Sequence, residues 1–137
     1  MLPLAALALV GATPVSGLRV EVEQLRSPRG KLQYCLTADP GNFPDCVNDA
    51  RAVRRSVPAS DAAALFDGLP PGAYALAVIH DENGNSRLDT IAGIPREGFG
   101  FSRNPRIGFG PPRFSAARFT LDQSGGGEQR VRMRYML

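Results

Sequence analysis

Apolar and charged residues alternate one for one at the C-terminus. Val131, Met133, Tyr135 and Leu137 take one parity while Arg130, Arg132 and Arg134 take the other. A period of two places successive side chains on opposite faces of an extended chain, so this stretch reads as a strand with one face in a core and one in water. The same alternation sets Leu18, Val20 and Val22 against Arg19, Glu21 and Glu23, and Leu32, Tyr34 and Leu36 against Lys31, Gln33 and Cys35. Ala73 to Ile79 is apolar at both parities, which predicts a central strand covered on both sides. Weaker strand patterns fall near Arg51 to Val57, Ala62 to Phe66 and Phe114 to Leu121. The 12 prolines and 15 glycines are spread through the chain, which suits many short strands joined by turns. About seven strands and no sustained helical pattern predict an all-β antiparallel two-sheet sandwich rather than an up-and-down barrel.

A turn motif supports the sandwich. In FDGLPPGAY, Phe66 to Tyr74, two prolines stop strand pairing, Gly72 permits a bend and Tyr74 opens the central strand. That placement matches a tyrosine corner, whose hydroxyl bonds to upstream backbone and pins a Greek-key crossover. A plain buried tyrosine is the alternative.

The first sixteen residues, MLPLAALALVGATPVS, carry no charge. Their apolar run from Leu4 to Val10 is too short to span a bilayer and matches the apolar region of a signal peptide. Cleavage is expected before Thr13, or alternatively after Ser16. Residues 17–137 then form one domain of ordinary size, with no other segment able to cross a membrane. Periplasmic or secreted location follows as an expectation. In an oxidising compartment Cys35 and Cys46, with Pro40, Gly41 and Pro44 between them, read as one disulfide. Closing a loop of that length is worth about 3 kcal/mol in the chain-entropy account. A free or redox pair is the alternative, and zinc is the weakest reading because it needs four ligands and His80 is the only histidine.

The formal charge is +3, and its distribution is uneven. Asp81, Glu82 and Asp89 against Arg87 make residues 81–89 acidic, whereas Arg96, Arg103, Arg106, Arg113 and Arg118 against Glu97 make residues 96–118 basic. Beyond Asp89 runs a loop at 90–113 with four prolines, five glycines and three of the seven phenylalanines. Loops this long are seldom kept without use. Either Phe99, Phe101 and Phe109 fold back over a sandwich edge, or they join Arg96 and Arg103 in a recognition surface. Arginine interleaved with phenylalanine would suit nucleic acid in a cytosolic protein. Export argues against that partner and for an envelope protein or a glycan.

The acidic turn carries the one metal-like pattern. Asp81, Asn83, Asn85, the Arg87 carbonyl and Asp89 match the first five ligand positions of an EF-hand loop. Position 12 is Ala92 and position 6 is Ser86, where the EF-hand needs Glu and Gly, so any calcium site needs a further ligand from Glu82, Glu97 or a loop carbonyl. The competing reading is a hairpin turn at Asn83-Gly84 with Asp81, Asn85 and Asp89 as Asx-type caps. Catalysis has weaker support. His80 and Asp81 are neighbours in a strand and point to opposite faces, and Ser102 in GFGFS misses the nucleophile-elbow pattern. The chain therefore reads as a non-catalytic module, with a calcium-stabilised carbohydrate- or protein-binding domain as the alternative and a hydrolase third.

The blocks LPPGAYALAVIHDENGNSRLDT, GIPREGFGFSRNP and GPPRFSAARF, followed by a closing strand, resemble the exported bacterial family known as domain of unknown function 2141. The resemblance implies a prealbumin-like or immunoglobulin-like β-sandwich, secreted or periplasmic, with no established reaction or ligand. Ser86 stands where a glycine often continues the family's Asn-Gly repeat.

Overall fold

The computed structural model describes residues 16–47, 49–84, 90–91, 94–108, 110–122 and 126–136. Ten strands follow in chain order: β1 Ser16–Glu23, β2 Lys31–Thr37, β3 Val53–Pro58, β4 Ala63–Leu69, β5 Gly72–Asp81, β6 Thr90–Ile91, β7 Ile94–Pro95, β8 Gly98–Phe101, β9 Phe119–Leu121 and β10 Gly126–Arg132. A single helical turn, α1, spans Phe114–Ala117. The first sheet has the order β10-β1-β4 and the second β3-β2-β5-β8, with β9 pairing the start of β5. β6 and β7 pair with each other in a separate two-stranded sheet. Among the described residues no helix is long and apolar enough to cross a membrane.

The alternation places the core. Leu18, Val20, Val22, Phe66 and Val131 from the first sheet meet Leu32, Tyr34, Leu36, Leu76 and Val78 from the second. β5 is covered on both sides as its sequence requires. Tyr74, Leu76, Val78 and His80 lie at the parity facing the first sheet, while Ala75 and Ala77 belong to a smaller cluster on the outer side with Cys35, Cys46, Phe101 and Ala117. Tyr74 donates its hydroxyl hydrogen to the carbonyl of Pro70, and so ties the start of β5 to the crossover from β4.

Two expectations need correction. The sandwich is antiparallel except at one pair, because β1 and β10 run parallel, from Gly17 opposite Gly126 to Glu23 opposite Arg132. Nearly the whole chain separates these strands, which gives room for the long connection that parallel pairing needs. Two sheets hold eight strands, in keeping with the expected number of about seven. Phe114 to Leu121 is not one strand, since its first half is α1. There Phe114 and Ala117 share the outer cluster, at the three-residue spacing of one helical face.

The two sheets are stitched along one edge. Phe99 and Arg134 exchange backbone bonds of 3.0 and 2.9 Å, and the Asn104 amide donates to the Arg130 carbonyl while accepting from the Arg132 N–H, both at 2.9 Å. Glycines make this approach possible. A Cβ on Gly98 would sit 2.4 Å from the Tyr135 ring, and one on Gly100 would sit 2.5 Å from Val131 Cγ1 and 2.9 Å from Met133 Sδ. The GFGF run thus gives its empty positions to the C-terminal strand and its rings to the opposite side.

Candidate binding groove on the outer face of the second sheet

Register across the second sheet builds rows of side chains on its outer face. Ser56, Gln33, Ile79 and Phe99 form one row across β3, β2, β5 and β8. Arg54, Cys35, Ala77 and Phe101 form the next. Cys35 is bonded to Cys46, with 5.7 Å between their Cα atoms, and this bond holds the segment after β2 over one end of the face. Within that segment Thr37 Oγ1 donates to Asp49 Oδ2 at 2.8 Å, and Asp49 Oδ1 accepts from the Arg51 N–H at 2.9 Å. Hydrogen bonds from the Thr37 hydroxyl and the Arg51 amide, opposed by partial desolvation, hold the Asp49 carboxyl below its usual range. Phe43 reaches down from the same loop and meets Phe101 and Phe114 edge-on, with centroids 5.9 and 6.1 Å apart.

Beside this lid the rows stay open. A groove of about 460 Å³ is floored by Gln33, Cys35, Ala77 and Ile79 and flanked by Arg54 and Ser56, with Pro44 and Asp45 of the disulfide loop on its wall. Asp81 lies at the end of β5. Short side chains make the depression. Around it an amide, a hydroxyl, a guanidinium and two carboxylates supply donors and acceptors, a mixture that orients a ligand over an apolar floor.

The acidic turn divides between two faces. Asp81 is 1% exposed, and its parity is that of Ile79 and Ala77. Glu97 is 4% exposed and immediately precedes Gly98, which pairs with His80, so both carboxylates are buried near the same end of the β5–β8 pair. Gly84 N–H bonds to the Asp81 carbonyl at 3.3 Å, and Gly84 takes φ +68° to close the turn. Glu82 is committed elsewhere, accepting from Ser27 Oγ at 2.9 Å and pairing with Arg26 and Arg29. Burial raises its pKa, but the bonds from Arg26 and Ser27 and the Arg26 charge outweigh that, so its carboxyl is held below the ordinary range. Asn83 is exposed at the turn, while Asn85, Arg87 and Asp89 lie outside the described residues. Among the described residues no three His, Cys, Asp or Glu side chains are placed to hold a metal.

The residues expected to form an aromatic surface at 90–113 differ in exposure among the described residues. Arg96 and Arg103 are exposed and Phe99 is half-buried, whereas Phe101 is 8% exposed and packs in the outer cluster. Phe109 lies outside the described residues.

His80 and Ser102 are both fully buried and fully engaged. His80 Nε2 lies 2.7 Å from the Arg29 carbonyl, which only accepts, so Nε2 carries the proton. Nδ1 then accepts from the Tyr135 hydroxyl at 2.7 Å, and that oxygen accepts from the Arg26 N–H at 3.2 Å. Ser102 Oγ accepts from the Leu76 N–H at 3.0 Å and donates to the Ala117 carbonyl, fastening α1 to β5.

Gln33, Arg54, Ser56 and Ala77 escape a sequence reading. Their one signal is polar or small character at alternate strand positions, and it acquires meaning only once the register places them side by side.

The chain matches, over residues 20–128, the model of the family described as an uncharacterized protein conserved in bacteria, DUF2141, and belongs to that family. No curated protein and no solved structure matches it.

Proposed function

We propose that this protein is an exported, non-catalytic module of the bacterial cell envelope that holds a glycan or peptide segment of an envelope partner in the outer-face groove. The observation that carries this reading is the Cys35–Cys46 bond, because it anchors the loop whose Pro44 and Asp45 wall the groove. Such a bond persists in oxidising compartments, so the site is complete only after export. Ser16 is part of β1, is buried, and bonds through its hydroxyl to the Asp122 carbonyl, so of the two expected cleavage points the one before Thr13 leaves the fold whole. The engaged side chains of His80 and Ser102 support a binding role over hydrolysis.

The test is amide chemical-shift mapping of the oxidised, isotope-labelled protein against disaccharide-peptide fragments of peptidoglycan, which present both sugar and peptide. Shifts concentrated at Gln33, Ser56, Ala77 and Ile79 are expected. Shifts confined to other faces, or none at millimolar ligand, would overturn the reading.

A second reading draws on the burial of Asp81 and Glu97 near the same end of the β5–β8 pair, which supports a calcium ion stabilising that end of the sheet. A cation bound only by the folded state, with Kd of about 0.1 mM and calcium at about 5 mM, adds about 2.3 kcal/mol. Melts in EGTA and in calcium that coincide leave the module without a metal.

A further inference from the structure

Four arginines converge on the stitched edge between the sheets. Arg103 and Arg106 follow β8, and Arg132 and Arg134 come from the end of the chain. Backbone and amide bonds bring the two segments together: Arg103 N–H donates to Gln129 Oε1 at 3.2 Å, Asn104 clamps β10 at Arg130 and Arg132, and Phe99 pairs with Arg134. Arg103 at φ +68° and Asn104 at φ +47° both adopt the left-handed region, an uncommon conformation for side-chain-bearing residues that this clamp maintains.

All four guanidinium-bearing residues are exposed, and none makes an ion pair among the described residues. Arg19, Arg26, Arg29 and Arg130 behave differently, since each is matched to a carboxylate of Glu21, Glu82 or Glu128. The nearest acidic position in register is Glu23, opposite Arg132 in β1. The edge therefore carries a net excess of positive charge. It has almost no concavity, for the cavity lined by Asn104, Pro105, Ile107, Arg132 and Arg134 holds only about 10 Å³, room for a single water. Apolar groups sit among the charges: Pro105 and Ile107, both half-buried, line the same shallow spot as Arg132 and Arg134.

We propose that this edge docks the protein on a membrane surface bearing anionic phospholipid headgroups. Guanidinium groups bind phosphate oxygens in paired hydrogen bonds. A flat array with interspersed apolar side chains suits an extended headgroup layer better than an enclosed small anion. The inference is independent of the groove, which lies on the outer face across β2, β3 and β5.

Co-sedimentation of the oxidised protein with lipid vesicles tests it. Phosphatidylcholine vesicles with about a third phosphatidylglycerol should bind, pure phosphatidylcholine should not, and binding should fall steeply at about 0.5 M salt. Each of Arg103→Gln, Arg106→Gln, Arg132→Gln and Arg134→Gln should weaken binding about fivefold, and Arg132→Gln with Arg134→Gln about twenty-five-fold. Arg132→Lys with Arg134→Lys, which keeps the charge but not the paired hydrogen bonds, should bind less tightly than the wild type and clearly more tightly than the double Gln variant, and guards against a folding defect. Arg54→Gln on the groove flank should leave it unchanged. An equal loss with Arg54→Gln would reduce the effect to net charge and overturn the proposal, as would inorganic phosphate displacing the protein from the vesicles at millimolar concentration.

Discussion

Two tyrosines of the same core should respond in opposite directions to loss of their hydroxyls. Tyr74 donates to the Pro70 carbonyl. Tyr34 is 3% exposed, and its hydroxyl has no hydrogen-bond partner among the described residues. Burial pushes the Tyr34 pKa up to about 12, with the charge of Arg55 acting against the rise. Both rings keep their packing in a phenylalanine variant. Tyr34 stays edge-on to Phe66 at 5.4 Å between centroids, and Tyr74 stays beside Phe119 at 6.4 Å. Tyr74→Phe should therefore lose one net hydrogen bond, about 1 kcal/mol, while Tyr34→Phe removes a buried polar group that nothing satisfies and should gain about 1 kcal/mol. Urea unfolding followed by circular dichroism separates them. With m near 1.5 kcal/mol/M the midpoints should move by about 0.7 M in opposite directions at unchanged m. A Tyr34→Phe variant destabilised by as much as Tyr74→Phe would refute the reasoning, because it would mean that the Tyr34 hydroxyl is satisfied in solution.

Two further outcomes follow from the edge and the acidic turn. Gly100→Ala should cost about 1 to 3 kcal/mol by overpacking, since the new Cβ meets Val131 and Met133 side chains and, at 3.0 Å, the Arg132 backbone carbonyl, which has little freedom to yield; urea melts measure it. Because Glu82 has a folded pKa below its ordinary 4.5, its contribution is present above pH 4.5 and is lost as pH falls through the folded value. Glu82→Gln should flatten the acid limb of a stability-versus-pH curve, and a limb of unchanged slope would count against the Arg26–Glu82–Ser27 cluster.

The strands were legible wherever one face is wet and the other dry. Leu18, Val20 and Val22, or Leu32, Tyr34 and Leu36, report their own burial through parity alone. What parity does not encode is the partner. The parallel pairing of β1 with β10 depends on contacts across the full length of the chain. α1 is too short for a helical period to emerge from a run that also contains Phe119 and Leu121. Gly98 and Gly100 resemble ordinary turn glycines until the C-terminal strand is seen crossing them. Asp81 and Glu82, a ligand candidate and its possible supplement, are divided by the strand itself: adjacent side chains in an extended chain face opposite ways, and Arg26 and Arg29 pair with the second. The groove was hidden for the same reason as the arginine edge, since both are assembled from strands distant in sequence.

The central claim is an exported module whose site is completed by a disulfide. Its most direct test is the redox state of Cys35 and Cys46 in cell fractions, read by the gel shift of a maleimide-polyethylene glycol label on unreduced protein. The account predicts protein in the periplasmic or secreted fraction, starting at Thr13 by intact mass and taking no label until reduced. Protein retained in the cytosol with both thiols labelled would contradict it.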